Sequence, residues 1–128
     1  MKVLTRLLAV SIFAILAFPA YANPIQFWHC EMDDEASEDD VLNGMEEWLA
    51  AARKLPGGES LEVKVLFPVV VASDGDYDVW ITKSMDSFES WGKFWDAYPE
   101  SDAGEIEDSH TEIYLCPDSV LFQSTKPD

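Results

Sequence analysis

The sequence has 128 residues, of which 25 are acidic and 8 are basic, and its formal net charge at neutral pH is −17. Such an excess of negative charge argues against nucleic acid and anionic membranes as partners, and it favours a well-hydrated surface, a basic partner or cations. Hydrophobic residues make up 48% of the chain, which is too many for a disordered acidic protein.

The first 22 residues have the pattern of a secretory signal peptide. Lys2 and Arg6 form a positive start, residues 7–18 form a short apolar core, and an Ala-Tyr-Ala cleavage motif ends at Ala22. The apolar run is too short to span a bilayer. We therefore expect cleavage near Ala22 and export of residues 23–128 as one domain, either periplasmic or secreted.

The predicted elements follow one another in a β-α-β-β-α-β order. Two-residue alternation predicts the strands, and apolar residues at helical spacing after a capping residue predict the helices. The order begins with a strand at 24–31 and a helix that starts at Ser37 and stops at a Pro-Gly-Gly segment at 56–58. Two strands follow, at 61–71 and 77–84. A second helix is capped by Asp86 and runs to about Ala97, a connection at 100–115 has room for one short helix, and the last strand is at 120–125.

This order is the split βαβ arrangement of the α+β, ferredoxin-like fold. The fold predicts a four-stranded antiparallel sheet in the order 4-1-3-2, with the two helices on one face. Pro68 lies in the predicted second strand and cannot donate a hydrogen bond to a neighbouring strand. The predicted order makes that strand an edge, as Pro68 requires.

The two cysteines of the sequence, Cys30 and Cys116, lie at the end of the first strand and just before the last one. Antiparallel neighbours bring the end of one strand to the beginning of the other, so we expect these side chains to meet. An exported protein matures in an oxidising compartment, which favours a disulfide. Two free thiols or a Cys/His metal site are the alternatives, but a zinc site needs more ligands at defined spacing.

Two acidic segments raise the question of a metal site, namely residues 33–40 and the Asp-Gly-Asp-Tyr-Asp segment at 74–78. An EF-hand loop that began at Asp74 would need Gly at its sixth position and Glu at its twelfth, where this sequence has Val79 and Met85. A loop, a helix N-terminus and a hairpin turn explain the acidic residues better. We therefore expect no metal and no cofactor.

One face of the first strand supplies the candidate ligand site. Alternation places Ile25, Phe27 and His29 on the same face, and we expect this face to meet the helices. His29 would then lie at the mouth of the sheet–helix layer, as a hydrogen-bonded structural histidine, a ligand-binding group or a weak candidate general base. The predicted ligand-binding residues are Phe27, His29, Trp91 and Trp95.

The opposite sheet face would be left open by helices that cover only one side. We expect Trp28, Leu66, Trp80 and Leu121 on that face. Large exposed apolar patches mark interfaces, and a second copy packed sheet against sheet is the simplest cover. The sequence therefore predicts a homodimer interface at these four residues.

The order of elements, the aromatic segment Asp86–Trp95 that enters the second helix, and the two-faced sheet resemble the dimeric α+β barrel superfamily. The chain is also similar to small secreted bacterial proteins of unknown function, in which a Cys-Glu pair ends the first strand and a Trp-bearing helix follows; here these are Cys30, Glu31 and Trp48. The superfamily includes cofactor-independent monooxygenases, haem-handling enzymes and binding proteins. No catalytic motif of those enzymes matches this sequence residue by residue, so the resemblance implies the fold rather than an activity.

Three classes of function follow from these observations. The sequence favours a non-catalytic exported homodimer that binds a small apolar or aromatic ligand or a partner protein. The second class is a monooxygenase-like enzyme that uses the sheet–helix pocket with His29 as its base. The third is an interaction or inhibitor protein whose acidic surface meets a basic target. A closed pocket that holds His29 would favour the enzyme, whereas a filled core would favour the other two.

Calorimetric titration of the exported protein with calcium tests the expectation that its acidic segments are not a metal site. In physiological salt we expect only weak, screened binding. A stoichiometric site with a Kd below about 10 μM, within the range of sensor sites, would contradict the expectation.

Overall fold

The computed structural model describes residues 22–69 and 78–127. Within these ranges the chain forms four strands and three α-helices, with short 3₁₀ turns at Gly58–Ser60 and Tyr98–Glu100. The elements are β1 (Asn23–Met32), α1 (Glu38–Ala52), β2 (Glu62–Leu66), β3 (Val79–Ser84), α2 (Phe88–Ala97), α3 (Asp102–Ser109) and β4 (Tyr114–Ser124). The leader at residues 1–21, the hairpin turn expected at 73–76 and most of the acidic segment at 74–78 lie outside the described residues.

The four strands form one antiparallel sheet in the order β2-β3-β1-β4. This is the predicted 4-1-3-2 order, which confirms the ferredoxin-like fold. Strand β2 lies at an edge and ends at Leu66, two residues before Pro68. The strand is shorter than predicted, and Pro68 lies beyond its last residue.

The helix starts follow from local capping. At α1 the Asp40 amide donates to Ser37 Oγ over 3.2 Å, and the Ser37 amide donates to Asp40 Oδ2 over 2.8 Å. This capping box holds the pKa of the Asp40 carboxyl below its usual value, because the carboxylate accepts hydrogen bonds from the Ser37 hydroxyl and amide. Helix α2 is capped by Ser87 rather than by Asp86 as predicted, because the Ser87 hydroxyl accepts from the Ser90 amide at 3.1 Å.

Strand β4 begins at Tyr114, six positions before the predicted start at Val120. Its pairing with β1 shifts by one residue between His29 and Glu31, which is a β-bulge. The bulge accommodates Pro117, which has no amide hydrogen to donate and therefore obscures the strand in the sequence.

The two faces of β1 lie opposite to the prediction. In the pairing with β3, Cys30 lies opposite Val79 and Trp28 opposite Ile81, and Cys30, Val79 and Ile81 are fully buried in the core with the helices. The expectation that the Ile25, Phe27 and His29 face meets the helices is therefore wrong. Strand β4 is inverted in the same way: Val120 and Phe122 pair with Phe27 and Ile25 on the open face, while Leu121 pairs with Gln26 on the helix side.

The core between sheet and helices is aromatic at its centre. Trp48 of α1 packs against Phe94 of α2 with ring centroids 6.3 Å apart, and both side chains are fully buried. Helix α1 turns its predicted apolar face inward. Its buried residues are Val41, Gly44, Met45, Trp48 and Ala52.

The predicted disulfide is present between Cys30 and Cys116, with a Cα–Cα distance of 4.0 Å. It joins β1 to β4 across a sequence separation of 86 residues. A cross-link over so long a loop restricts the unfolded chain strongly, so the bond stabilises the fold mainly by lowering the entropy of the unfolded state.

Replacing both cysteines, as Cys30→Ala/Cys116→Ala, should lower the free energy of unfolding by up to about 4–5 kcal/mol in the chain-entropy model. Urea denaturation of the oxidised wild type and the double variant measures the difference, and the reduced wild type is the matched control. Non-reducing peptide mapping of the exported protein should recover one cross-linked pair. Two alkylatable thiols in the native protein would contradict the bond.

Candidate functional site

The open face of the sheet carries an apolar cleft of about 510 Å³. It is lined by Phe27, His29, Trp80, Val120 and Phe122. The rings of Phe27 and Phe122 meet edge to face with centroids 5.6 Å apart, and those of His29 and Trp80 lie 3.6 Å apart. Side chains of this kind are what a small apolar ligand or a partner protein contacts.

Exposed apolar side chains extend the cleft across neighbouring strands. Leu66 is 44% exposed, Val120 45% and Phe122 51%, although all three are large hydrophobic residues. Leu66 lies directly opposite Trp80 in the β2–β3 pairing. Strands β2, β3, β1 and β4 thus all contribute to one apolar surface, which we call the open-face patch and define as Phe27, Leu66, Trp80, Val120 and Phe122.

The structure divides the predicted ligand-binding residues between the two sides of the sheet. Phe27 and His29 line the open-face cleft, while Trp91 and Trp95 belong to α2 and pack against the core on the helix side. The four residues therefore do not surround one pocket. His29 lies at an open sheet surface and not in a closed sheet–helix pocket, so the geometry that would have favoured an enzyme with His29 as its base is not present.

The predicted interface residues are divided in the same way. Trp80 and Leu66 lie on the open face as predicted, but Trp28 and Leu121 lie on the helix side. The physical reason is the inversion of β1 and β4 relative to β2 and β3. Trp28 is partly buried against the core, and Phe122 and Val120 take the places that Leu121 was expected to fill.

A buried lysine forms a second unusual site, beneath the helices. Lys83 of β3 is 3% exposed, and its Nζ lies 3.4 Å from Glu107 Oε1 of α3. The same ammonium lies 4.0 Å from the ring centroid of Trp48, 5.0 Å from that of Trp28 and 6.0 Å from that of Trp95. Burial lowers the pKa of Lys83, and the charge of Glu107 opposes that shift.

A hydrogen-bond network connects this lysine to α1, to the 3₁₀ turn that follows α2, and to α3. Trp48 Nε1–H donates to the Tyr98 hydroxyl oxygen over 2.8 Å, and the Tyr98 hydroxyl donates to Glu107 Oε2 in a short contact. Burial, and then the hydrogen bond to Glu107, raise the pKa of Tyr98 far above its usual value. Burial and the charge of Glu107 raise the pKa of Tyr114 as well. Both tyrosines therefore keep their protons at any physiological pH.

A small cavity of about 270 Å³ lies beside this network, where the end of α3 meets the start of β4. Two of its lining side chains carry buried polar atoms without a hydrogen-bond partner among the described residues, namely the indole nitrogen of Trp28 and the hydroxyl of Tyr114. An unsatisfied buried polar group costs about 1–3 kcal/mol. We call this space the α3–β4 cavity; its lining residues are Trp28, Glu107, Asp108, Thr111, Tyr114, Leu115 and Cys116.

Sequence reasoning missed Lys83, although a signal for it existed. Trp80 was predicted on the open face, so alternation along the third strand puts Val79, Ile81 and Lys83 on the covered face. A lysine on a covered face requires a partner, because an unpaired buried charge is very costly. Nothing in the sequence indicated that the partner would be Glu107, which lies 24 residues further along the chain.

Over the described ranges, no group of three or more His, Cys, Asp or Glu side chains is arranged to hold a metal ion. In the same ranges, no helix has both the length and the apolar composition that crossing a bilayer requires.

Comparison with known proteins places the chain by fold. No protein-family model matches the sequence, and no curated protein matches it. Among solved structures, the hydroxynitrile lyase from Passiflora edulis superposes with a TM-score of 0.54 at 13% identity, covering 86% of this chain and 97% of that one. A dabb family protein with a ferredoxin-like fold from Mesorhizobium loti gives 0.51 at 4% identity, covering 84% and 99%. A hypothetical Arabidopsis thaliana protein gives 0.50 at 9% identity, covering 85% and 90%.

At these identities the similarity establishes the ferredoxin-like fold and nothing about activity. The neighbours include an enzyme, a protein described by its family and fold, and a hypothetical protein. One fold of this kind supports many unrelated functions, so function has to be argued from this chain's own sites.

The Lys83–Glu107 pair yields a test of the buried charge. Glu107→Gln should lower the free energy of unfolding at pH 7 by about 1–3 kcal/mol, because Lys83 loses its counter-charge; the loss is below that of a fully buried pair, since Glu107 is partly exposed. Urea denaturation measures the change. Glu105→Gln, on the exposed side of the same helix, is the matched control and should change stability little.

The pH dependence of the same variants gives a second check. The pKa of Lys83 is lower in the folded state than its unfolded value near 10.5. Between these two pKa values the unfolded chain binds more protons than the folded one. In that pH range, Lys83 therefore makes the free energy of unfolding rise with pH. Without Glu107 the pKa falls further, and the rise should begin at lower pH. The difference between Glu107→Gln and Glu105→Gln should therefore shrink as the pH approaches 10, and a constant difference would contradict the assignment.

Proposed function

We propose that the protein is an exported, non-catalytic homodimer whose two copies pack open sheet face against open sheet face and enclose a small apolar or aromatic ligand. The observation that carries the proposal is the open-face patch with the apolar cleft at its centre. A second copy of the chain covers this patch and also closes the cleft, which a single copy leaves open to water.

The distribution of charge supports this interface. The chain has 25 acidic residues, yet the strand register puts only Glu31, Glu62 and Asp118 on the open side of the described strands. Glu62 begins β2, and Glu31 is the next-to-last residue of β1. Lys64 lies on the same side opposite Thr82, and Asp118 pairs with His29 beside the cleft, but none of the residues that line the cleft is acidic. A low density of charged residues at the centre is the compositional mark of an interface core.

Association of two copies would remove the remaining exposed apolar area of this face from water. A buried Trp or Phe side chain removes about 150–250 Å² from water, at about 25 cal/mol per Å². Phe122 is half exposed, and Phe27 and Trp80 are partly buried within one copy, so each contributes only the part of this area that is still exposed. A two-fold interface contains every such contact twice. This sum has to exceed an association cost of about 4–15 kcal/mol.

The leader pattern and the disulfide support export, and the side chains of the cleft support ligand binding. The N-terminal leader pattern supports export, and a disulfide between β1 and β4 fits an oxidising compartment. The cleft residues Phe27, Trp80 and Phe122 offer ring faces and edges, which suit an apolar or aromatic molecule. Native mass spectrometry of the protein purified from its own host reports the dimer, the disulfide and any retained ligand in one measurement.

Two neighbouring residues of β4 give a matched test of the dimer. Phe122 and Leu121 are 51% and 44% exposed and lie on opposite sheet faces. Phe122→Glu should yield a folded monomer, because a charge at the interface centre is desolvated on association, whereas Leu121→Glu should remain a dimer. Sedimentation equilibrium measures both, and circular dichroism confirms that each variant folds.

Trp80→Glu should also dissociate the dimer, and added salt should strengthen the wild-type dimer, since screening weakens the repulsion between two acidic copies. A wild type that remains monomeric at tens of micromolar in moderate salt would overturn the proposal. Equal dissociation by Leu121→Glu and Phe122→Glu would place the interface elsewhere.

A further inference from the structure

We propose that the α3–β4 cavity of each protomer is a binding site for a small neutral molecule that combines an apolar body with a carbonyl oxygen. The cavity lies on the helix side of the sheet, apart from the open-face cleft, so the inference does not rest on the proposed dimer. The site needs only elements of one protomer, namely β1, α3 and the start of β4.

Side chains in the cavity wall have unused hydrogen-bonding capacity. The Trp28 indole nitrogen and the Tyr114 hydroxyl are buried, and neither has a partner among the described residues. Both belong to side chains that line the same cavity. Buried polar groups are nearly always paired, so two unpaired groups beside one cavity indicate a ligand that completes them.

The hydrogen-bond donors among these groups favour a ligand with an acceptor atom. An indole N–H can only donate. Burial and the neighbouring charge of Glu107 keep the Tyr114 hydroxyl protonated, so it too is available as a donor. A carbonyl oxygen has two lone pairs, so it can accept from the Trp28 N–H and also from the Tyr114 hydroxyl, whose side chain lines the same cavity.

The charge of the cavity wall selects a neutral ligand. Glu107 and Asp108 both line the cavity, so carboxylates and phosphates are repelled. Glu107 already pairs with Lys83 through one oxygen and accepts from Tyr98 through the other. An ammonium ligand would therefore have to compete with Lys83 for the same carboxylate.

The size and rigidity of the cavity limit the ligand further. A cavity of about 270 Å³ is just below the usual range for ligand pockets, which suits a molecule of about seven to ten non-hydrogen atoms. The wall is preorganised, because Cys116 in it is bonded to Cys30 of β1. Both donors lie beneath the cavity surface, so a bound ligand has to turn one of the rings slightly, and that movement is observable.

Titration of the ¹⁵N-labelled full-length mature protein with cyclohexanone tests the proposal by nuclear magnetic resonance. The indole N–H signal of Trp28, assigned by its absence in Trp28→Phe, should shift and saturate with a Kd on the order of 1 mM. Methylenecyclohexane has nearly the same shape without the oxygen and should leave that signal in place. Cyclohexanecarboxylate should bind more weakly than the ketone.

Variants locate the site and separate it from the dimer cleft. Tyr114→Phe keeps the ring and removes the hydroxyl, so it should weaken cyclohexanone binding about 2- to 10-fold. Ser109→Ala removes an exposed hydroxyl from α3, the helix that borders the cavity, and should leave cyclohexanone binding unchanged. The proposal would be overturned if methylenecyclohexane caused equal shifts, if Tyr114→Phe bound cyclohexanone with unchanged affinity, or if the shifts were confined to Trp80. It would also be overturned by tighter binding of the carboxylate than of the ketone, or by the absence of any shift at a ketone concentration 10-fold above the expected Kd.

Discussion

Strand β1 runs between β3 and β4, and the register of these two pairings decides where every side chain of the sheet lies. A slip of one residue would exchange the two faces completely, because side chains alternate along a strand. In the observed register Cys30 reaches Cys116, and Phe27 meets Phe122 on the open side. The disulfide and the Phe27–Phe122 contact are thus consequences of the β1–β4 pairing, whereas the β1–β3 pairing places Gln26 opposite Lys83.

Lys83 connects the sheet to the helices in a way that an apolar residue could not. Its ammonium contacts Trp48 of α1 and pairs with Glu107 of α3, while Tyr98, which follows α2, bonds both Glu107 and Trp48. A buried ion pair of this kind adds little net stability, because removing two charges from water offsets their attraction. The pair requires a short, well-directed contact between its two charges, however, and this requirement favours one way of packing the three helices on β3.

The two faces of the sheet therefore have different physical characters. The helix side combines aromatic packing with a charged network and a small cavity bordered by unpaired donors. The open side carries an apolar cleft with no acidic lining residue, although the chain as a whole is strongly acidic and Glu31, Glu62 and Asp118 lie on the same side. A high net negative charge opposes the association of two copies, and a cleft without acidic lining residues limits that repulsion at the proposed contact.

The amino-acid sequence alone determined the order of the elements, the strand order, the capping of α1 and the disulfide, because each depends on local patterns or on chain connectivity. Only the tertiary structure decided which face of β1 is covered. The set Ile25, Phe27 and His29 and the set Gln26, Trp28 and Cys30 each combine apolar with polar residues. Alternation defines these two sets equally well in either orientation, and long-range packing against the helices then selects between them. The partner of Lys83 and the cavity beside it likewise depend on how the helices pack on the sheet, which local sequence patterns do not specify.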